Sequence, residues 1–155
     1  MGGRLAGIAR HDRPKGPMET LESVAVTAAE GVHGDYRGAH AATKPGRKRQ
    51  VSLIEADGLV AAFAESGAVL DWSDCRRNLL VEGLRLPREP GAHVAIGDHL
   101  VIEITDECEP CERMEALHPG LRAAMTPDWR GGFLGRVVED GEIAVGAEVR
   151  ILGQS

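Results

Sequence analysis

The segment CEPCERM, residues 108–114, places two thiols three positions apart after an apolar run, with a proline, acids and an arginine among them. Cys108 and Cys111 at this spacing fit three chemistries. A dithiol redox pair works when a helix N-terminus lowers the pKa of its nucleophile, and the residues that follow read as a short helix. The surroundings, however, do not resemble a thioredoxin-like βαβ unit. A zinc site needs four ligands, as a rule with a second close pair, and Cys75 with six scattered histidines offers none. The third reading is two partly buried cysteines without a role.

Other stretches carry groups that bind ligands. In CRRNLLVEG, residues 75–83, Arg76 and Arg77 adjoin a buried strand and point to opposite sides, so at least one can face a cavity. Asn78 adds a donor and an acceptor together, as an anion or heterocycle site requires. The plainer reading is two solvated arginines at a strand end. GVHGDYRG, residues 31–38, sets His33, Asp35 and Arg37 between glycines, and Gly34 lets the backbone approach a ligand closely. A surface turn fits that pattern equally well. WRGG, residues 129–132, joins Arg130 to two glycines, which suits either a backbone approach to a bound ligand or a tight corner. KPGRKR, residues 44–49, is the one basic cluster and could meet a phosphate or simply be a solvated loop. His11, His40, His93, His99 and His118 show no ligand spacing and receive no role.

The rest of the chain must position these groups. Its 155 residues make one domain, 1–155, long enough to bury a core without disulfides. An aromatic content of 3% leaves that core to Val, Leu, Ile and Ala. A net charge of −6 argues against nucleic-acid binding, which needs a basic surface. No apolar run approaches the roughly 20 residues needed to cross a bilayer, and the charged N-terminus leaves no room for a signal-peptide core. Three cysteines are too few for a disulfide scaffold and point to a reducing, cytoplasmic setting.

Periodicity predicts strands at RLAGIAR, SVAVTA, QVSLIE, NLLVEGL and HLVIEITD, with two or three more in FLGRVVEDGEIAVGAEVRIL. Asp140-Gly141 reads as a hairpin turn. Leu59, Ala62 and Phe63 share a helical face ending at Gly67, and CERMEALHP and GLRAAM are short helical turns broken at Pro119. Residues 31–49 read as a long exposed excursion. The result is a strand-rich α+β fold: a twisted, barrel-like mixed sheet with a few short helices.

Taken in order, GVHGDYRG, RQVSLIEAD, RRNLLVEGL, AIGDHLVIEIT, CEPCERM and WRGGFLGRVVEDGEIAVGAEV resemble the MOSC domain, named for the C-terminal part of molybdenum cofactor sulfurases. The resemblance runs from Leu5 to Leu152 and is to the small stand-alone bacterial members. It implies a barrel-like fold and a reactive sulfur at Cys111, the cysteine after the proline, carrying a persulfide or ligating molybdenum. It also implies that Arg76, Arg77 and Asn78 hold the pterin and its phosphate, with Gly34 and Asp35 in the loop near the pocket; Asp35 has a structural alternative, bonding amides of its own turn. Arg130 is a further candidate cofactor contact. Cys108 departs from the family pattern and could resolve a persulfide at Cys111. The implied cofactor is the molybdenum cofactor, with no zinc or iron–sulfur cluster. The implied activity is reduction of N-hydroxylated compounds with electrons from a separate electron-transfer protein. The alternatives are a sulfur carrier loaded by a cysteine desulfurase and a binding module without turnover.

Overall fold

The structure is a computed structural model and describes residues 2–41, 43 and 49–153. The basic cluster 44–49 therefore lies outside the described residues except for Arg49. In chain order the elements are β1 (Gly3–Arg10), β2 (Glu19–Leu21), β3 (Ser23–Thr27), β4 (Gly31–Val32), α1 (Tyr36–Ala41), β5 (Val51–Glu55), α2 (Ala56–Ser66) and β6 (Leu79–Glu82). They continue with β7 (His93–Ile96), β8 (Leu100–Glu107), α3 (Glu112–Leu117), α4 (Leu121–Met125), β9 (Phe133–Glu139), β10 (Gly141–Ala144) and β11 (Glu148–Ile151). Short 3-10 turns at Trp72–Cys75 and Pro127–Trp129 precede β6 and β9.

Seven strands close on themselves in the order β11-β7-β8-β9-β5-β6-β1, because β1 pairs back onto β11. Closure removes the free edges that an open sheet would expose. Every pairing is antiparallel except β5–β6, whose parallel register is reached through the crossover helix α2. The strand β2 extends β1, and β10-β3-β4 form a second, small sheet. The strand-rich α+β barrel read from the residues is the fold observed.

Alternation along β5 shows how the core is divided. Leu53 points into the barrel with Leu5, Ile8, Ile102 and Phe133. Its neighbour Ile54 points outward, beneath Leu59 and Ala62 of α2, Met114 of α3 and Met125 of α4. Phe133 is the one fully buried aromatic, so aliphatic side chains fill both compartments.

Two expectations are corrected. The segment 31–49 is not simply an exposed excursion: Gly31, Val32, Asp35, Gly38 and Ala41 are buried, in β4, in α1 and in the turn between them. Nor does Asp140-Gly141 turn a hairpin, because β9 pairs with β5 and β8 while β10 pairs with β3. Asp140 Oδ1 accepts from the Ala28 amide at 2.7 Å. A Cβ on Gly141 would lie 2.4 Å from Leu100 N, so only glycine lets the chain cross there from barrel to small sheet. The same residue types that make tight turns here make a strand switch. The short strands β2 and β7 were not anticipated either.

Gln50 joins the two sheets. Fully buried, it donates from Nε2 to Ala28 O at 2.7 Å and accepts at Oε1 from Val137 N at 2.9 Å. Gln50→Leu removes both hydrogen bonds and is expected to cost about 2 to 4 kcal/mol. Urea unfolding checks this through a lower midpoint at unchanged slope; an unchanged midpoint would refute the tie.

Candidate functional site

The cysteine loop leaves the barrel at the end of β8. Cys108 N donates to Gly132 O at 2.8 Å, and Cys108 and Pro110 are buried while Cys111 is exposed. The loop rests on bare backbone: a Cβ on Gly131 would lie 2.5 Å from Cys108 O and 2.8 Å from Pro110 Cδ. WRGG is thus a close approach between two protein segments. Cys111 is the N-cap of α3, its carbonyl accepting from Met114 N at 2.9 Å. Met114, fully buried, anchors that turn in the helical compartment.

Facing the loop is the start of β6. The turn Trp72–Cys75 is closed by an Asp71/Asp74 capping box and ends with Arg76 in the left-handed region, φ 65°. Such a backbone is unusual outside glycine and concentrates at functional sites. It breaks strand alternation, so Arg76 and Arg77 both line one cleft instead of pointing apart. Arg77 is buried and donates from Nε to Gly131 O at 2.8 Å and from Nη1 to Cys75 O at 2.7 Å. Its Nη2 has no partner among the described residues. Asn78 accepts at Oδ1 from Ser52 N at 3.0 Å and donates from Nδ2 to Ala9 O at 3.1 Å, so it ties β5, β6 and β1 together.

The third wall comes from the N-terminal half. Asp35, buried, accepts at Oδ1 from His11 N at 3.1 Å and at Oδ2 from Gly38 N at 3.2 Å, capping α1. Asp35 thus bonds an amide of its own turn and one from a distant segment, and it also lines the cleft. His11 brings an imidazole to the cleft, with Nδ1 buried and unpartnered, 3.6 Å from Asp35 Oδ1. Burial lowers the His11 pKa; Asp35 opposes this, while Arg76, Arg37 and Arg113 reinforce it.

These segments enclose a cleft of about 360 Å³. It contains Cys111, Arg76, Arg77, Asn78 and Asp35, five of the residues singled out from the sequence. Gly34 and Arg130 do not line it. Gly34 is exposed beside the Arg10 guanidinium. Arg130 ties α2 to α4, pairing through Nη2 with Glu65 at 2.9 Å and donating from Nη1 to Ala124 O at 3.0 Å.

The cleft also holds Arg37 of GVHGDYRG, Arg49 at the end of the basic cluster, and His11, Lys15 and Arg113, to which the sequence assigns no role. Arg37 and Arg113 stood inside motifs already singled out, and their charge beside a thiol was the available signal. His11 and Lys15 sit in a loop that reads as plain punctuation. Nothing local distinguishes them.

Arg37, Arg76 and Arg113 make no ion pair or side-chain hydrogen bond among the described residues. Burial lowers the Arg76 pKa, and the charges of Arg113 and Arg37 lower it further against the pull of Asp35. Cationic side chains therefore converge on a solvent-open thiol in an otherwise acidic protein.

A closed barrel whose cleft gathers arginines beside an exposed thiol is the architecture these observations define. The MOSC domain family model matches residues 32–150, and the chain belongs to that family. Among solved structures, the YuaD protein from Bacillus subtilis superposes with a TM-score of 0.77 at 17% identity, over 96% of this chain and 94% of that one. YiiM from Geobacillus stearothermophilus gives 0.64 at 17% identity, over 97% and 73% of the two chains. YiiM from Escherichia coli gives 0.65 at 15% identity, over 98% and 71%. These likenesses concern the fold. No curated protein sequence matches the chain.

The three free thiols differ in accessibility. Burial pushes the Cys75 thiol up to about 11, so it stays protonated and inert at neutral pH. Dithionitrobenzoate is expected to label Cys111 quickly, Cys108 slowly and Cys75 only after denaturation. A fast phase that survives Cys111→Ser would overturn the assignment.

Proposed function

We propose that the cleft binds the molybdenum cofactor through Cys111 and the neighbouring guanidiniums, and that the protein reduces N-hydroxylated compounds with electrons from a separate electron-transfer protein. The observation that carries this reading is the cluster of Arg37, Arg76 and Arg113, with no ion pair among the described residues, in one cleft with an exposed thiol.

The residues present fit such a group. The cleft volume falls within the roughly 300 to 1,000 Å³ of small-molecule sites. The unpartnered Nδ1 of His11 is a buried polar atom that a ligand could satisfy. Cys111 is a soft donor suited to a metal that already carries dithiolene sulfur. Arg37, Arg76 and Arg113 would hold the phosphate, since guanidinium forks match its oxygens. Arg77 would offer Nη2 alone, its other bonds being spent on the backbone. Asn78 shapes the wall, because both ends of its amide are engaged. When bound, the cofactor would supply a metal that accepts oxygen from substrate. The protein's part is to orient it, to balance its negative charge and to leave the thiol side open. Three free cysteines suit the reducing, cytoplasmic setting expected from the sequence. Among the described residues, no helix is long and apolar enough to cross a membrane.

A second reading rests on a different observation: Cys108 lines the same cleft as Cys111. A persulfide on Cys111, loaded by a cysteine desulfurase and handed to another protein, would use the cleft as a sulfur carrier.

Expression in a host rich in molybdenum cofactor, anaerobic purification and measurement of molybdenum and pterin per chain test the first reading. We expect near-stoichiometric metal, with a marked loss in Cys111→Ala. Absence of metal and pterin from both samples would sink the reductase reading.

A further inference from the structure

We propose that the cleft accepts a doubly charged sulfur oxyanion with a terminal sulfane sulfur, thiosulfate being the simplest, and that Cys111 takes this sulfur as a persulfide. The proposal rests on the sulfur-carrier reading and deepens it by giving the carrier a small-molecule donor.

The charge balance of the cleft points to a multiply charged anion. Arg37, Arg76 and Arg113 lie close enough for Arg76 to feel both of the others. Gathering like charges is unfavourable unless something of opposite sign lies among them. Asp35 offsets part of this charge, but one carboxylate cannot balance three guanidiniums, and its hydrogen bonds go to backbone amides and not to any arginine. Glu109, the other carboxylate on the rim, is exposed and makes no ion pair among the described residues. His11 adds an independent sign of a missing ligand. Its side chain is only 10% exposed, and its Nδ1, 3.6 Å from Asp35 Oδ1, has no hydrogen-bond partner among the described residues.

The thiol gives the anion something to react with. A sulfonate end presents oxygens that guanidinium forks bind with charge assistance, and Cys111 stands exposed on the same cleft. The Cys111 thiolate attacks the outer sulfur of thiosulfate. A new sulfur–sulfur bond forms on the protein, the donor's sulfur–sulfur bond breaks, and sulfite leaves with the bonding pair. One thiolate and one dianion become one persulfide anion and one dianion, so no outside oxidant or reductant is required. The arginines would stabilise the charge gathering on the departing sulfite. Cyanide then removes the sulfur as thiocyanate and restores the thiolate.

The test uses the full chain purified from a host unable to make molybdenum cofactor. It is incubated with thiosulfate or, separately, inorganic polysulfide, then desalted and read by intact mass and cyanide-released thiocyanate. We expect thiosulfate to add one sulfur atom per chain, lost in Cys111→Ser. Arg113→Gln, an exposed change whose folding a thermal melt confirms, should slow thiosulfate loading by about tenfold or more. It should slow polysulfide loading much less, because polysulfide has no sulfonate. Loading from polysulfide but not thiosulfate overturns this proposal and leaves the carrier reading standing. Loading from neither removes both. Thiosulfate loading unaffected by Arg113→Gln and by Arg76→Gln would overturn the anion site.

Discussion

Arg77 reaches between two pieces of backbone ahead of β6 and β9, donating to Cys75 O from one side of its guanidinium and to Gly131 O from the other. A buried cation without a carboxylate is costly, and here carbonyl dipoles offset the cost. The consequence reaches the chemistry through Gly131, against which Cys108 and Pro110 rest with no room for a side chain. The exposed thiol of Cys111 therefore takes its position from a side chain with which it need share no bond. A lysine could not make the same two contacts, because a single ammonium lacks the planar fork.

Asp35 organises the opposite wall in a similar way. One oxygen caps α1 through Gly38 N and the other holds His11 N. Both bonds are to backbone, so Asp35 is hydrogen-bonded to none of the nearby arginines and offsets their charge only in part. That is how an acidic chain presents a positive mouth. The many surface carboxylates pair with other cations: Glu103 with Arg136, Asp128 with Arg85, and Glu55 with the half-buried Arg88. Within low-dielectric walls the remaining positive charge is focused on one opening.

Much of the site was legible because it is local in sequence. The two cysteines, the arginine pair and the glycine–aspartate turn each lie within a few residues, and all three segments meet at the cleft. The roles inside those motifs were less legible. Arg76 and Arg77 look alternate in a strand, but a left-handed residue at Arg76 places both in one wall. Asn78 looks like a ligand contact and proves to be a strand tie. Arg130 looks like a site residue beside two glycines, yet its bonds go to Glu65 and Ala124. In that motif it is the glycines that serve the site.

The sequence by itself determined the strand-rich fold class, the aliphatic character of the core and which segments supply the cleft's thiols and arginine pair. Hydrophobic alternation and turn residues act over a few positions, where local physics is decisive. Tertiary structure alone decided that β10 leaves β9 to pair with β3, that His11 and Lys15 join Cys111, and that Arg37, Arg76 and Arg113 line its cleft with no ion pair among the described residues. Those facts depend on which distant segments a closed barrel brings to one end. Barrel closure is a property of strand order and register across the whole chain, which no window of residues contains.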